Sequence, residues 1–241
     1  MIQSQINKLL LLLCPILLLM SCKEQYHLPN YFKHHENGDV KQITIHTFDV
    51  NNGAITPYPD NFGLIWGESA NGTSTYDKNG NILSDNFYDY EYDENGRIIR
   101  SIIKEGLHTS EDFVYDELNE IHKWGDKTFR YNDNNQICAV VEVYEPHGVY
   151  PGSYREYEYN DDGQMKSCNF NHNKSIYGSE YNQDGELQRH VQLMEHGRVQ
   201  EYQINVTQRD DKNNWTERRI TGTNYNGRPV EYLQKREIRY Y

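Results

Sequence analysis

The sequence predicts an all-β fold, an antiparallel meander of hairpin repeats that is curled or closed into a barrel-like sheet. Three observations lead to this prediction. A seven-residue turn motif recurs along the chain, a second series of turns alternates with it, and no segment after the N-terminal apolar run shows a helical period. The turn spacing gives about fourteen to sixteen strands of roughly five to ten residues.

The recurring motif reads Tyr-Asx-x-x-Gly-x-Ile. Its copies begin at Tyr76, Tyr92, Tyr115, Tyr131, Tyr159 and Tyr181, with degenerate copies at His34 and Arg209. The fifth position holds Gly38, Gly80, Gly96, Asn119, Asn135, Gly163, Gly185 and Asn213. Gly and Asn accept a left-handed backbone at least cost, and Asp or Asn at the second position favours a type I turn. The motif therefore predicts a three-residue hairpin loop with a G1 bulge.

The first and seventh positions of each copy should face each other across two strands, on the same side of the sheet. They hold Tyr opposite Ile, Met or Leu in six copies. Such aromatic–aliphatic pairs each add a few tenths to about 1 kcal/mol. Trp215 occupies the seventh position of the last copy and is predicted to be structural for the same reason.

A second, less regular series of turns lies between the copies. Its members are near Asp85, Gly106, Gly125, Gly148, His172, Gly197 and Gly227. The two series alternate strictly from Tyr76 onward, as the two ends of one antiparallel meander must.

The N-terminal segment indicates export and lipidation. Lys8 precedes an apolar run that is too short to span a bilayer comfortably and fits a secretory signal. The run ends in Ser21-Cys22, which resembles the lipobox of bacterial lipoproteins. The expected organisation is a signal peptide over 1–21, a lipidated N-terminus with a short linker over 22–33, and a single β-repeat domain over 34–241.

The charge balance excludes several partners. The signal segment contains one lysine and no acids, so the mature chain carries 23 basic and 36 acidic side chains, a net charge of −13. Nucleic-acid binding and a cationic membrane-binding surface both need clustered Lys and Arg. Membrane attachment is therefore expected through acyl chains on Cys22, and Lys23-Glu24 is compatible with retention at the outer membrane, facing the periplasm or the surface.

Two cysteines, Cys138 and Cys168, remain in the mature domain. The meander places them on strands separated by the strand around residues 155–159. Two strand spacings amount to about 9.5 Å, which is beyond disulfide reach. We expect both to be free thiols.

The repeats resemble the YD repeats of RHS-type bacterial proteins over most of the chain after Tyr76. The C-terminal segment DDKNNWTERRI…GRPVEYLQKREIRYY is also similar to the closing segment of uncharacterised YD-repeat lipoproteins of Gram-negative gut-type bacteria. The resemblance implies a β-sheet of YD-type hairpins. Large RHS proteins wind such repeats into a hollow shell around a toxin, but this chain has too few copies for a shell and no separate cargo domain.

A closed sheet of this many strands would be porin-like in outline but water-soluble, with a polar, wet lumen too wide for side chains to fill. A transmembrane barrel is the rival interpretation, since the chain ends in the aromatic pair Tyr240-Tyr241. Charges on both faces, such as Arg97, Arg100 and Glu156, leave no apolar outer band and argue against it.

No motif indicates catalysis, a metal or a cofactor. The Asx-Gly turns offer one or two ligands each, whereas a calcium loop needs five or more oxygens. His34 and His35 point to opposite faces, and His190 and His196 lie too far apart along the chain to chelate one ion. Solvated or stacking histidines are the favoured interpretation. The Ser-nucleophile, phosphate-loop and dinucleotide-binding signatures do not occur.

The candidate ligand contacts are aromatic and histidine side chains of the second turn series. Trp124 stands at the tip of KWGDK, and Tyr144, His147 and Tyr150 stand in the loop YEPHGVYP. Aromatic rings at loop tips are common platforms for sugars or partner proteins. The alternative is that both loops fold back and cover the mouth of the barrel.

The predicted function is a non-catalytic, lipid-anchored β-repeat scaffold of the cell envelope that presents loops to a polysaccharide or an envelope protein. An enzymatic alternative is a carbohydrate-active hydrolase with its site in or at the mouth of the curled sheet. A third option is a structural or immunity-type partner of a secreted protein.

Overall fold

The computed structural model describes residues 36–58, 71–104, 109–142, 152–172, 175–194, 197–224 and 226–241. These residues form seventeen β-strands and no α-helix. The strands are β1 (Val40–Asn51), β2 (Ala54–Pro57), β3 (Gly72–Tyr76), β4 (Ile82–Ser84), β5 (Tyr88–Tyr92), β6 (Ile98–Ile103), β7 (Ser110–Tyr115), β8 (Ile121–Trp124), β9 (Lys127–Tyr131), β10 (Ile137–Glu142), β11 (Ser153–Tyr159), β12 (Met165–His172), β13 (Ser175–Tyr181), β14 (Leu187–Leu193), β15 (Val199–Arg209), β16 (Trp215–Thr223) and β17 (Pro229–Tyr240).

The sheet closes on itself through β1. Each strand from β3 to β17 pairs antiparallel with the next one along the chain. β1 pairs with β17 on one side and with β3 on the other, so that β1 and β3 to β17 form a closed sixteen-stranded barrel. The short strand β2 continues the β3 side of β1 beyond Ile45. The predicted meander is confirmed, and of the two predicted forms, curled or closed, the structure has the closed one.

The repeat turns have the predicted geometry. All eight fifth-position residues have positive φ, between 61° at Asn135 and 89° at Gly38. In the second full copy, the Gly96 N–H donates to the Asp93 carbonyl at 3.0 Å, and Asp93 Oδ1 accepts from the N–H groups of Asn95 and Arg97 at 2.9 Å each. First and seventh positions pair after a one-residue bulge, as Tyr76↔Ile82, Tyr92↔Ile98, Tyr115↔Ile121, Tyr131↔Ile137, Tyr159↔Met165, Tyr181↔Leu187 and Arg209↔Trp215.

One face of the sheet carries the buried residues on the barrel strands other than β4 and β5, which have none. On β16, for example, Arg218 and Ile220 are buried whereas Arg219 between them is exposed. A single closed sheet can bury side chains only in its lumen, so the buried face is the inner one. The buried apolar residues form three clusters, which are Ile98, Phe113, Ile121, Trp124, Phe129, Ile137 and Val140; Leu187, Tyr202, Ile204, Ile220 and Tyr232; and Val40, Ile43 and Tyr76.

Side chains of these clusters pack closely against one another on the inner face. Ile98, Ile121 and Ile220 have no exposed surface, and the rings of Phe113 and Trp124 stack with their centroids 5.1 Å apart. Rings are the physical reason, because Tyr, Phe and Trp reach much further from the wall than the aliphatic side chains that fill narrow barrels.

Six rings follow one another along the inner wall from β12 to β2. They are Phe170, Tyr177, His190, Tyr202, Tyr232 and Tyr58, with successive centroids between 5.4 and 6.4 Å apart. His190 therefore stacks between tyrosines, as the sequence predicted for the histidines. Ring contacts of this kind add about 0.5–1.5 kcal/mol each beyond the area that they bury.

A polar network crosses the β16–β17–β1 part of the interior. Arg218 Nε donates to Gln234 Oε1 at 2.7 Å, and Gln234 Nε2 donates to Thr47 Oγ1 at 3.0 Å. The guanidinium groups of Arg218 and Arg236 lie 4.3 and 4.0 Å from the centroid of the Trp215 ring. Buried polar groups are stable when they are paired, so this network joins the last strand to the first without an unpaired donor on Gln234.

The outer face is charged. Cross-strand ion pairs join Arg100 to Asp112 at 2.8 Å and Arg189 to Glu180 and Glu201 at 2.7 and 2.8 Å. A membrane-spanning barrel presents an apolar band at this surface. The part of the outer face that these pairs cover is therefore polar. Among the described residues, no helix is long and apolar enough to cross a membrane.

The two cysteines occupy the predicted strands. Cys138 is on β10 and Cys168 on β12, with β11 between them, and both are free. Burial raises the pKa of the Cys168 thiol to about 11, which keeps it protonated and unreactive at neutral pH.

Candidate functional site at the loop end of the barrel

The two ends of the barrel differ in construction. One end, named here the repeat end, consists of the repeat turns, in which an Asx side chain and the backbone satisfy each other. The opposite end is named the loop end. Its connections range from the tight turn at Gly125 to segments 105–108 and 143–151, which lie outside the described residues. Irregular connections on a rigid scaffold are the usual place for binding groups.

The wall of the barrel is tall on one side and low on the other. β1, β15 and β17 contain 12, 11 and 12 residues, whereas β4, β8 and β9 contain 3, 4 and 5. Because every repeat turn lies at the same end, the difference in length appears at the loop end. The low rim is the one formed by the ends of β4, β8 and β9.

Trp124 is not an exposed ring at a loop tip. It is 5% exposed, its Nε1 donates to Ser101 Oγ at 2.9 Å, and Tyr88 meets it edge-on with ring centroids 5.4 Å apart. The prediction that it offers a free ring to a ligand is wrong. β8 places it directly opposite Phe113, on the inner face, so the turn tip consists of the next two residues.

A cluster of charged side chains lies next to Trp124 on the inner face of the low wall. Lys127 Nζ is 3.4 Å from Asp126 Oδ1, 3.6 Å from Glu142 Oε1 and 4.0 Å from Glu111 Oε2. The same ammonium lies 4.7 Å from the centroid of the Trp124 ring. We call Glu111, Asp126, Lys127 and Glu142 the rim cluster.

Strand pairing holds the rim cluster in place. Lys127 lies opposite Trp124 on β8 and opposite Glu142 on β10. Glu142 in turn lies opposite Ser153, whose Oγ donates to Glu142 Oε2 at 2.5 Å. The cluster therefore spans β7 to β11, and Glu142 directly precedes the segment 143–151.

The electrostatics of the rim cluster favour the protonated, charged form of Lys127. Desolvation lowers the pKa of Lys127, but the combined attraction of Glu111, Asp126 and Glu142 outweighs it and leaves this pKa above its ordinary value. Burial, with the charge of Glu111, raises the pKa of Tyr88. Glu111 Oε2 is buried and accepts no hydrogen bond within the described part of the chain. Lys127 Nζ, at 4.0 Å, is the cation that faces this oxygen.

Gly125 makes room for the rim cluster. Its φ is 57°, and a Cβ at this position would lie 2.8 Å from the carboxyl carbon of Glu111. Any other residue would push the Glu111 carboxylate away from Lys127 or strain the turn.

The rim cluster was not among the predicted site residues, although the sequence holds a signal for it. Glu111 and Lys127 each lie two residues before a buried phenylalanine, and Glu142 lies two residues after buried Val140. Residues two apart on a strand share a face, so these charges had to point inward. The other predicted contacts, Tyr144, His147 and Tyr150, and the lipidation residue Cys22 lie outside the described residues.

A second group of polar side chains, the pair Ser179 and His190, is too buried for a ligand to reach. Ser179 Oγ and His190 Nδ1 are 3.0 Å apart, which resembles a nucleophile and its base. Ser179 is 6% and His190 2% exposed, and rings from Tyr177 and Tyr202 lie against the imidazole. The pair is a structural element of the ring series. No group of three or more metal-ligating side chains occurs in the ranges that the structure describes.

Comparison with solved structures gives matches of low sequence identity and low TM-score. The chain is similar to a porin-like protein from Bacteroides vulgatus ATCC 8482, with 13% identity over 84% of this chain and 98% of that one, at a TM-score of 0.41. A porin-like protein from Bacteroides uniformis ATCC 8492 matches with 9% identity over 83% and 98%, at a TM-score of 0.30. A chain of the TcdB2-TccC3-Cdc42 complex matches with 12% identity over 78% of this chain and 12% of that one, at a TM-score of 0.34.

No family model matches the chain, and no curated protein matches it. The resemblance to YD-repeat proteins therefore stays a prediction. The barrel itself is established by its strand pairings.

Proposed function

We propose that this chain is a lipid-anchored protein of the cell envelope whose barrel binds a polysaccharide at its loop end and catalyses no reaction. The anchor is Cys22, and the expected location is the outer membrane. The charged outer face supports attachment through a lipid, because a barrel with this surface is not stable within a bilayer.

The rim cluster is the observation that carries the proposal. Sugar hydroxyls both donate and accept hydrogen bonds, and the cluster offers carboxylate acceptors beside an ammonium donor. One acceptor, Glu111 Oε2, has no hydrogen-bond partner among the described residues. The segment 143–151, in which the sequence places Tyr144 and Tyr150, follows Glu142 directly in the chain and lies outside the described residues.

The arrangement of charges supports binding over hydrolysis. A glycoside hydrolase needs one carboxylic acid that stays protonated and a second, ionised carboxylate at a set distance. In the rim cluster, Glu111 and Glu142 both lie against the ammonium of Lys127. The ammonium thus lies within 4.0 Å of both carboxylates, at the place between them where a hydrolase would hold the scissile bond.

A binding and sizing experiment tests the proposal. The domain from Lys23 onward is incubated with a panel of neutral and anionic polysaccharides, bound and free material are separated, and the recovered glycan is sized. Retention of a glycan of unchanged length supports the proposal. Lys127→Met should then weaken retention at least tenfold, whereas Lys166→Met, which removes an outward-facing lysine paired with Glu158, should not.

Two results would redirect the assignment. Shortened glycan would establish the hydrolase alternative, and Glu111→Gln or Glu142→Gln should then stop cleavage. A panel that is neither bound nor cut would overturn polysaccharide binding and make an envelope protein the leading partner.

A further inference from the structure

The chain enters the barrel at the repeat end and is held there. Asn37 and Asn214 exchange hydrogen bonds, with the Asn37 N–H donating to Asn214 Oδ1 at 2.7 Å and Asn214 Nδ2 donating to the Asn37 carbonyl at 2.9 Å. Asn37 Nδ2 also donates to the Lys212 carbonyl at 3.0 Å. Both partners belong to the last repeat turn.

An ion pair next to this contact strengthens the attachment. Glu36 Oε1 is 2.6 Å from Arg236 Nη1, and the side chains of Glu36 and Arg236 are 16% and 5% exposed. Arg236 also donates from Nε to the Trp215 carbonyl at 2.8 Å. Breaking a buried pair leaves an uncompensated charge, so this contact does not open readily. Glu36, the first described residue, is therefore fixed at the repeat end.

The length of the chain between Cys22 and Glu36 can be compared with the height of the barrel wall. Thirteen residues separate Cys22 from Glu36, and a fully extended segment of that length spans about 45 Å. The twelve residues of β17, tilted as barrel strands are, give a wall of about 30 Å. The loop end can approach the anchor only if the thirteen residues run the full height of the barrel, which takes up about two thirds of their extended length.

We infer that the repeat end faces the membrane and that the loop end, with the rim cluster, points away from it. This inference rests on the proposed lipid anchor at Cys22. It assigns the loop end as the surface that an external polysaccharide meets first and the repeat turns as the membrane-proximal surface.

The charges of the repeat end are those expected of a surface that lies near the membrane without inserting into the lipid. Five successive turns carry an exposed acid, namely Glu94, Glu117, Asp133, Asp161 and Asp184. Carboxylates are repelled by anionic headgroups over about one Debye length, roughly 8–10 Å. The turns therefore stand off from the headgroups instead of penetrating them.

Energy transfer to a membrane acceptor tests the orientation. Asn95→Cys at the repeat end and Asn226→Cys at the loop end are both at exposed turn positions. Each is made in the full-length, lipidated protein with Cys138→Ser and Cys168→Ser, labelled with a donor dye and placed in phosphatidylcholine vesicles that contain an acceptor lipid. Asp161→Cys and Arg198→Cys form a second pair of exposed probes, one from each end.

The expected result is at least twofold higher transfer efficiency from the two repeat-end dyes than from the two loop-end dyes. Equal transfer, or higher transfer from the loop end, overturns the orientation while the anchor stands. Absence of transfer at all four sites, together with a Cys22 that carries no lipid by mass spectrometry, overturns the anchor and the orientation with it. Cys22→Ser, which cannot be lipidated, sets the background.

Discussion

The hydroxyl of Tyr115 donates a hydrogen bond of 2.7 Å to the carbonyl oxygen of Ile98, the seventh residue of the preceding repeat. The pairing of β6 with β7 covers only residues 100–102, so this carbonyl lies beyond the end of their ladder. The same bond recurs from Tyr131 to Ile121 at 3.0 Å and from Tyr159 to Ile137 at 2.6 Å. The bond explains why the first position of the motif is Tyr and not Phe.

Replacing Tyr115 with Phe should lower the free energy of unfolding by about 1 kcal/mol, because the Ile98 carbonyl loses its donor while the ring stays in place. Urea denaturation followed by tryptophan fluorescence measures the change. Tyr154→Phe is the matched control, since the Tyr154 hydroxyl donates to exposed Glu156 and not to a backbone carbonyl. A loss no larger than that of the control would show that the recurring bond does not stabilise the barrel.

Gly96→Val should destabilise the domain by about 1–3 kcal/mol. Nothing lies within 4 Å of a Cβ at this position, so the cost comes from forcing a β-branched residue to a φ of 80°. Gly96→Asn should stay close to wild type, because Asn occupies the same turn position with positive φ at Asn119 and Asn135. The two variants are compared by urea denaturation, and equal stability would contradict the turn assignment.

Gly222→Ala tests a close approach between strands. A Cβ on Gly222 would lie 2.0 Å from the Glu201 carbonyl oxygen and 2.9 Å from the Tyr202 ring. Overpacking of this kind costs about 1–3 kcal/mol or more. Gly178→Ala is the control, since its nearest neighbour is Asn169 Oδ1 at 3.6 Å. The melting temperature of the first variant should fall by several degrees and that of the second should not, and similar values would contradict the described packing of β15 against β16.

Stability should fall at alkaline pH. Burial raises the pKa of Tyr159 from its ordinary value of 10.0 to about 12, and burial also raises the pKa of Tyr92 and Tyr232. The folded state binds these protons more tightly than the unfolded state does. Their contribution is therefore complete below about pH 10 and is lost as the pH rises towards 12.

Urea midpoints measured from about pH 8 to about pH 12 check this expectation, with tyrosinate absorbance recorded in parallel. Tyr159→Phe should show a shallower decline than wild type. A midpoint that stays constant between pH 10 and 12 would mean that the tyrosines ionise as freely in the folded barrel as in the unfolded chain.

The sequence predicts the strands well because one local rule repeats. Gly or Asn at the fifth position, with Asx at the second, determines each hairpin without reference to the rest of the fold. The sequence left two outcomes open, a curled sheet and a closed barrel. Closure depends on the pairing of Thr44 with Glu237, which joins residues at opposite ends of the chain. Nothing in the local pattern of either strand specifies that contact.

The rim cluster was missed for a related reason. Trp124 looks like a loop-tip ring in the sequence, but the Phe113–Trp124 pair depends on the bulge before Tyr115, which sets the register of β7 and β8. That register turns Trp124, Lys127 and Glu111 inward together. Charge on an inward-facing position is the sequence signal that points to such a site.

Thr44 offers the most direct test of closure, because it pairs with Thr73 on one side and Glu237 on the other. In a background with Cys138→Ser and Cys168→Ser, Thr44→Cys is combined with Thr73→Cys, with Glu237→Cys, or with Glu231→Cys, which pairs with Thr221 on β16 and serves as the control. A closed barrel predicts disulfide formation in the first two double variants and free thiols in the third. If Thr44→Cys with Glu237→Cys stays reduced while Thr44→Cys with Thr73→Cys oxidises, the sheet is open between its first and last strands, and the account of the barrel is wrong.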